Sequence, residues 1–188
     1  MSSHEVSWQE AAGKVARTVQ IMVGAMTAGT CFFLLIALFL RPLDKPPAPL
    51  QPIALAWIAC ALAVAGLTVR AAVVAVVTAK GRGEITSGTC APSGPRPANA
   101  PAASEGSEAR EGKCLLAAFQ TKTIIGGAIF EGCSFFATVA YLIEGGTVSL
   151  ALAGVMIVGL ALHLPTQARV IDWVERQLEI AGREKMSR

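Results

Sequence analysis

The chain has 188 residues, 53% of them hydrophobic and 15% charged, with a formal net charge of +3 and a mean hydropathy of +0.54. That is more apolar than a soluble domain needs, and the apolar residues lie in long blocks without an amphipathic rhythm, which argues against a soluble globular protein. Short alternating strands of the kind that build outer-membrane barrels are missing, so the membrane-crossing elements the blocks call for are helices.

In chain order, residues 1–17 are expected to form a short cytoplasmic helix, because Ser7-Trp8-Gln9-Glu10 fits a capping box. Residues 18–40 follow as a first transmembrane helix. This block is too long for a signal-peptide core, and no small-residue cleavage site closes it before Arg41-Pro42. Residues 41–52 carry Pro42, Pro46, Pro47, Pro49 and Pro52, which forbid continued helix and predict an extended external loop. The second helix is expected over 53–79, with Arg70 inside it. Residues 80–114, rich in Gly, Pro, Ser and Ala and poor in large apolar side chains, read as a disordered cytoplasmic linker. A third helix with a cytoplasmic lead-in is expected over 115–143, and Glu144-Gly145-Gly146 is so tight a turn that the helix over 147–164 must return antiparallel beside it. Beyond Pro165, residues 165–188 place Val170, Val174, Leu178 and Ala181 on one helical face. This segment is an amphipathic helix and tail, lying on the inner membrane surface or against the cytoplasmic helix ends.

The fold class expected is therefore all-α: a transmembrane four-helix bundle made of two helical hairpins, with a short amphipathic carboxy-terminal helix. Its orientation comes from positive charge. Lys14 and Arg17 lie before the first span, Lys80, Arg82, Arg96, Arg110, Lys113 and Lys122 in the central region, and Arg169, Arg176, Arg183, Lys185 and Arg188 after the last, whereas the loop after the first helix has only Arg41 and Lys45. Both termini and the linker are thus expected on the cytoplasmic side of a cell membrane. The basic residues are expected to meet anionic lipid. No aromatic-basic interleaving suggests a nucleic-acid surface.

Laying the first helix on the third at an offset of 103 matches Thr18, Ile21, Gly24, Ala25, Gly29, Phe32, Phe33 and Ala37 with Thr121, Ile124, Gly127, Ala128, Gly132, Phe135, Phe136 and Ala140. The matches suggest a parallel internal repeat. Gly24, Ala25 and Gly29 in one helix and Gly127, Ala128 and Gly132 in the other are expected to bring these two helices together, since small residues let backbones approach.

Glu131 stands out. A lone carboxylate in the apolar run Thr123 to Ile143 costs about 2.5 to 3.5 kcal/mol at mid-depth unless it is paired or wetted. Arg70 precedes Lys80 by about as many residues as Glu131 follows Lys122, so both should stand at one depth and form an intramembrane ion pair. Two alternatives stay open: Arg70 snorkels to the headgroups where the second helix leaves the bilayer, or Glu131 is a protonated or ion-binding carboxylate without Arg70.

Ala128-Ile-Phe-Glu131-Gly-Cys-Ser-Phe-Phe-Ala resembles the carboxylate-bearing helix of rotary ATPase proteolipid c subunits, and Ala59, Ala61, Ala63 and Ala65 resemble the small-residue repeat of its partner helix. That resemblance implies a proton- or Na⁺-binding role for Glu131, though no Arg-Gln-Pro-type polar loop joins the two helices here. Across nearly its whole length the chain is also similar to uncharacterised bacterial four-helix membrane proteins of the inner membrane, through Thr123-Ile-Ile-Gly-Gly-Ala-Ile-Phe-Glu-Gly and the Pro165-Thr166 step before an amphipathic tail. This second resemblance implies fold and location and supplies no activity.

Other chemistry is sparse. Cys31, Cys60 and Cys133 fall inside helices, and Cys90 and Cys114 have no CxxC or Cys/His spacing, so neither a metal nor a cofactor is expected. His163 reads as interfacial, as do Tyr141 and Glu144. The expected function is that of a non-enzymatic structural or accessory membrane protein. Its partners are lipid and an unspecified membrane protein or second copy. The other function class is an ion-handling protein in which Glu131 titrates.

Overall fold

The computed structural model describes residues 3–41, 54–90 and 107–187. They form five helices, α1 (Ser3–Leu40), α2 (Ala54–Thr86), α3 (Ser107–Glu144), α4 (Thr147–Leu162) and α5 (Gln167–Met186), and no strand occurs among the described residues. The protein is all-helical, as its composition demands. Three helices are long and apolar enough to cross a membrane, over Trp8–Leu40, Leu55–Thr86 and Ala109–Glu144. At 16 residues, α4 measures about 24 Å at 1.5 Å per residue. It is shorter than those three helices and passes as a candidate span only when taken together with α5.

Several boundaries differ from those read in the sequence. α1 already includes Ser7, so that residue is not a helix cap, and the segment 1–17 is continuous with the first apolar block. α2 runs past Lys80 to Thr86, and α3 begins at Ser107, which makes both flanks of the expected linker helical. Burial explains the gain: Ile85, Ala109, Leu115 and Leu116 are each at most 2% exposed, and the apolar surface they hide outweighs the low helix propensity of Gly81, Gly83 and Gly112. The centre of that linker and the proline-rich loop after Arg41 lie outside the described residues.

The chain divides into two compact units. The first comprises residues 1–20, 74–123 and 165–188. Its core joins Trp8, Ala12 and Ala16 of α1, Ile85 of α2, Leu115, Leu116 and Phe119 of α3, and Val170, Val174 and Ala181 of α5. The amphipathic face of α5 is thus spent against helices. Close approach is built in where Gly112 lies under Trp8, since a Cβ there would stand 3.1 Å from the indole. Thr166 caps α5 by accepting from the Arg169 amide, and Gln20 donates to the Pro165 carbonyl at 2.7 Å, which fixes the start of that helix. Lys185 pairs with Glu111 at 2.9 Å, tying α5 to α3.

The α2 terminus within this unit has a defined geometry. Thr89 N–H donates to the Glu84 carbonyl and Gly88 N–H to that of Ile85, with Gly88 at φ +70°, which together make a Schellman motif. It reverses the chain and returns Cys90 to α3, where Cys90 and Cys114 form a disulfide.

The second unit comprises residues 21–73 and 124–164. Small residues make one cluster of its interior, with Ala59 of α2, Ala137 of α3 and Ala153 of α4 packed together. α1 and α3 run parallel in contact, Gly127 against Val23 and Met26, and Phe33 against Phe135 at 5.1 Å between ring centres. Of the six small residues expected there, only Gly127 makes the contact. Ala25, Gly29, Ala128 and Gly132 are exposed, and a Cβ at Gly24, Gly29 or Gly132 would meet nothing within 4 Å. The tighter approaches are at Gly66, against Ile129 and Cys133, and at Gly159, where a Cβ would lie 2.8 Å from the Phe130 ring. Outward faces of this unit carry Phe32, Phe39, Trp57 and Val64, each at least 66% exposed, as expected of a surface solvated by hydrocarbon.

Substituting Gly159→Val should therefore lower the stability of the detergent-solubilised chain by about 1 to 3 kcal/mol, the usual cost of overpacking. Gly154→Val, on the same helix but facing open space, should leave the unfolding midpoint within about 0.5 kcal/mol.

Candidate functional site

The second unit contains a cluster of half-buried polar and aromatic groups. Arg70 of α2 points at α3 and the end of α4: its guanidinium carbon lies 5.1 Å from the centre of the Phe130 ring, and its Nη2 lies 3.3 Å from Nδ1 of His163. Arginine has donors only, so His163 Nδ1 is the acceptor in this contact. Glycine makes the cluster possible. A Cβ on Gly126 would stand 3.0 Å from His163 Nε2 and 3.3 Å from Arg70 Nε, while Gly159 opens the slot for Phe130. The Phe130 and His163 rings are 6.1 Å apart. Arg70 Nε is buried and meets no acceptor among the described residues.

The expected ion pair between Arg70 and Glu131 does not form among the described residues. Neighbouring helix positions diverge by about 100°, so an arginine seated on the Phe130 side faces away from Glu131. Glu131 is half-buried and has neither a hydrogen bond nor an ion pair within the described chain. Nor is Arg70 a snorkelling side chain at a free helix surface, because its charge rests on a ring and an imidazole.

A second constellation joins three helix ends. The Glu144 carboxylate accepts from the amides of Leu55 at 2.6 Å and Ala56 at 3.1 Å, so it caps the start of α2, where orphan N–H groups and the helix dipole favour an anion. Arg41 does the converse at the end of α3, donating to the carbonyls of Leu142, Ile143 and Glu144 at 2.9, 2.7 and 3.1 Å. Tyr141 returns a hydrogen bond to the Arg41 carbonyl at 2.9 Å. Gly145, at φ +71°, is the left-handed residue after α3, and the Arg41 guanidinium occupies the space a side chain there would need. Tyr141 and Glu144 are 2% and 6% exposed, so they are structural clamps and not interfacial anchors.

The first unit holds two further groupings. Lys122 stacks its ammonium over Trp173 at 3.6 Å and Phe119 at 4.6 Å from the ring centres. Glu84, Cys90 and Cys114 bring a carboxylate oxygen and two sulfurs within 4.8 Å of one another. Spacing conceals this second group, since Cys90 and Cys114 are 24 residues apart and Glu84 reaches them only through the Gly88 turn.

No family model, no curated protein and no solved structure matches the chain.

Replacing Glu144 by Ala leaves two helix-start amides unanswered and should destabilise the detergent-solubilised protein by about 1 to 3 kcal/mol in an unfolding titration. A double-mutant cycle on Arg70→Met and Phe130→Leu should return a coupling of about 0.5 to 2 kcal/mol, whereas the cycle of Arg70→Met with Glu131→Gln should return none.

Proposed function

We propose that this chain is a multi-pass cell-membrane protein with a structural or accessory, non-enzymatic role, crossing the bilayer four times with α4 as the shortest crossing. Both termini and the 80–114 region face the cytoplasm in this reading, because the basic residues crowd there. The observation that carries the role is how the second unit uses its charges. Arg41 and Glu144 are consumed by helix ends and Arg70 by Phe130 and His163, so each fixes helix register and none is presented to a substrate.

One observation favours a second reading. Glu131 has no partner within the described chain, which suits a carboxylate that takes up a proton or Na⁺ from within the membrane. A structural carboxylate would instead meet a donor on a second chain.

Topology is tested with single cysteines in a chain whose five native cysteines are replaced by serine. An impermeant maleimide should label Pro47→Cys on intact cells and reach Ala98→Cys only after permeabilisation; labelling of Ala98→Cys from outside would overturn the orientation. A hydrophobic carbodiimide at neutral pH separates the roles of Glu131. At a fixed pH the structural reading expects labelling that Na⁺ leaves unchanged; labelling that Na⁺ suppresses supports ion handling.

A further inference from the structure

We propose that Glu84, Cys90 and Cys114 form a thiolate-rich site for one divalent zinc ion when the two cysteines are reduced. The donors arrive from three separate stretches of the first unit: Glu84 from the last turns of α2, Cys90 from beyond the Gly88 turn, and Cys114 from the second turn of α3. Their ligand atoms already lie within 4.8 Å of one another. A tetrahedral ion with bonds of about 2.3 Å to sulfur and 2.1 Å to oxygen spaces its donors roughly 3.5 to 3.8 Å apart, so the sulfurs need only separate by the breaking of their mutual bond.

The position is built and not incidental. The Schellman motif holds the Glu84 carbonyl to the Thr89 amide at 3.0 Å, which fixes Cys90 relative to Glu84. Cys90 is 7% exposed, against the core of the unit. A carboxylate oxygen of Glu84 lies 3.4 Å from the Cys114 sulfur. A disulfide sulfur has no proton to offer that oxygen, so the contact is idle in the oxidised form. With the thiols reduced, the same oxygen meets either a thiol proton or, together with both sulfurs, a cation. Two thiolates and a carboxylate at such range repel one another unless a positive ion lies between them. Soft sulfur and one oxygen favour zinc over magnesium or calcium.

The chemistry balances simply. Two molecules of a small thiol reduce the Cys90–Cys114 bond, giving two protein thiols and one small-molecule disulfide. Zinc then forms two Zn–S bonds and one Zn–O bond while two thiol protons pass to solvent, and water fills the fourth position. Oxidation and metal loading exclude each other, since both consume the same sulfurs. The site does not depend on which way the protein faces in the membrane or on whether Glu131 handles ions.

The full chain, in detergent micelles and kept reduced by a phosphine, is titrated with Zn²⁺ against a chromogenic zinc indicator. One ion per chain should bind, with release of about two protons. Cys114→Ser should weaken binding more than about 100-fold, beyond what removing a group behind a ligand does. Glu84→Gln, which keeps the shape of the side chain and leaves helicity unchanged, should weaken it about tenfold or more. Cys31→Ser, Cys60→Ser and Cys133→Ser should bind as the parent does. Cobalt loading should give sulfur-to-metal charge-transfer absorption in the parent and none in Cys114→Ser. The proposal is overturned if the reduced parent fails to compete with the indicator, if Cys114→Ser binds as tightly as the parent, or if Cys133→Ser removes the binding.

Discussion

Hydrocarbon offers no hydrogen bonds, so any polar group carried into it has to be answered by the chain itself. Most polar groups of the second unit obey this constraint, and among the described residues Glu131, Ser149 Oγ and Arg70 Nε depart from it. Threonine hydroxyls turn back on their own helices, as Thr30, Thr68 and Thr138 do at 3.0, 2.7 and 2.8 Å to the carbonyls four residues earlier. The charged residues Arg41, Glu144 and Arg70 are answered by helix ends, a ring and an imidazole. Glycine and alanine then decide which helices approach closely enough for this, because each answering group must reach across a gap set by backbone contact.

The two units illustrate different economies of packing. Large side chains, led by Trp8, Phe119, Leu115 and Leu116, fill the first, and its surface carries ion pairs such as Arg183 with Glu179 and Lys14 with Glu10. Both pairs are one helical turn apart and well exposed, and each contributes no more than a few tenths of a kcal/mol. The second unit buries many alanines beside Val23, Tyr141, Met156 and Leu160, and turns Phe32, Phe39, Trp57 and Val64 outward. Apolar outer faces of this kind suit contact with lipid.

Much of the architecture was legible because long apolar runs admit only one backbone solution. The antiparallel return after Glu144 and the buried face of α5 followed from turn length and from the spacing of Val170, Val174 and Ala181. Helical phase across neighbours was not legible. Phe130 and Glu131 are adjacent in sequence, yet Arg70 reaches the first and not the second, and depth alone could not distinguish them. The small-residue stripe failed for a related reason: Ala25, Gly29, Ala128 and Gly132 share a face, but rotation of each helix about its axis turned that face outward and gave the contact to Gly127 and the Phe33–Phe135 pair. The end of α2 and the start of α3 were not legible in their glycine-rich composition, because those turns are held by the burial of Ile85 and Trp8.

The clamp at the close of α3 has a consequence for how the protein responds to its surroundings. Arg41 and Glu144 sit close together yet spend their charges on opposite helix poles, the cation on carbonyls and the anion on amides. Nothing in that arrangement depends on attraction between the two side chains, and the Glu144 contacts are shielded from bulk ions. Strong brine, which dissolves ordinary ionic contacts at a protein surface, should leave this junction intact, and exchanging the two residues would reverse both poles at once and break it.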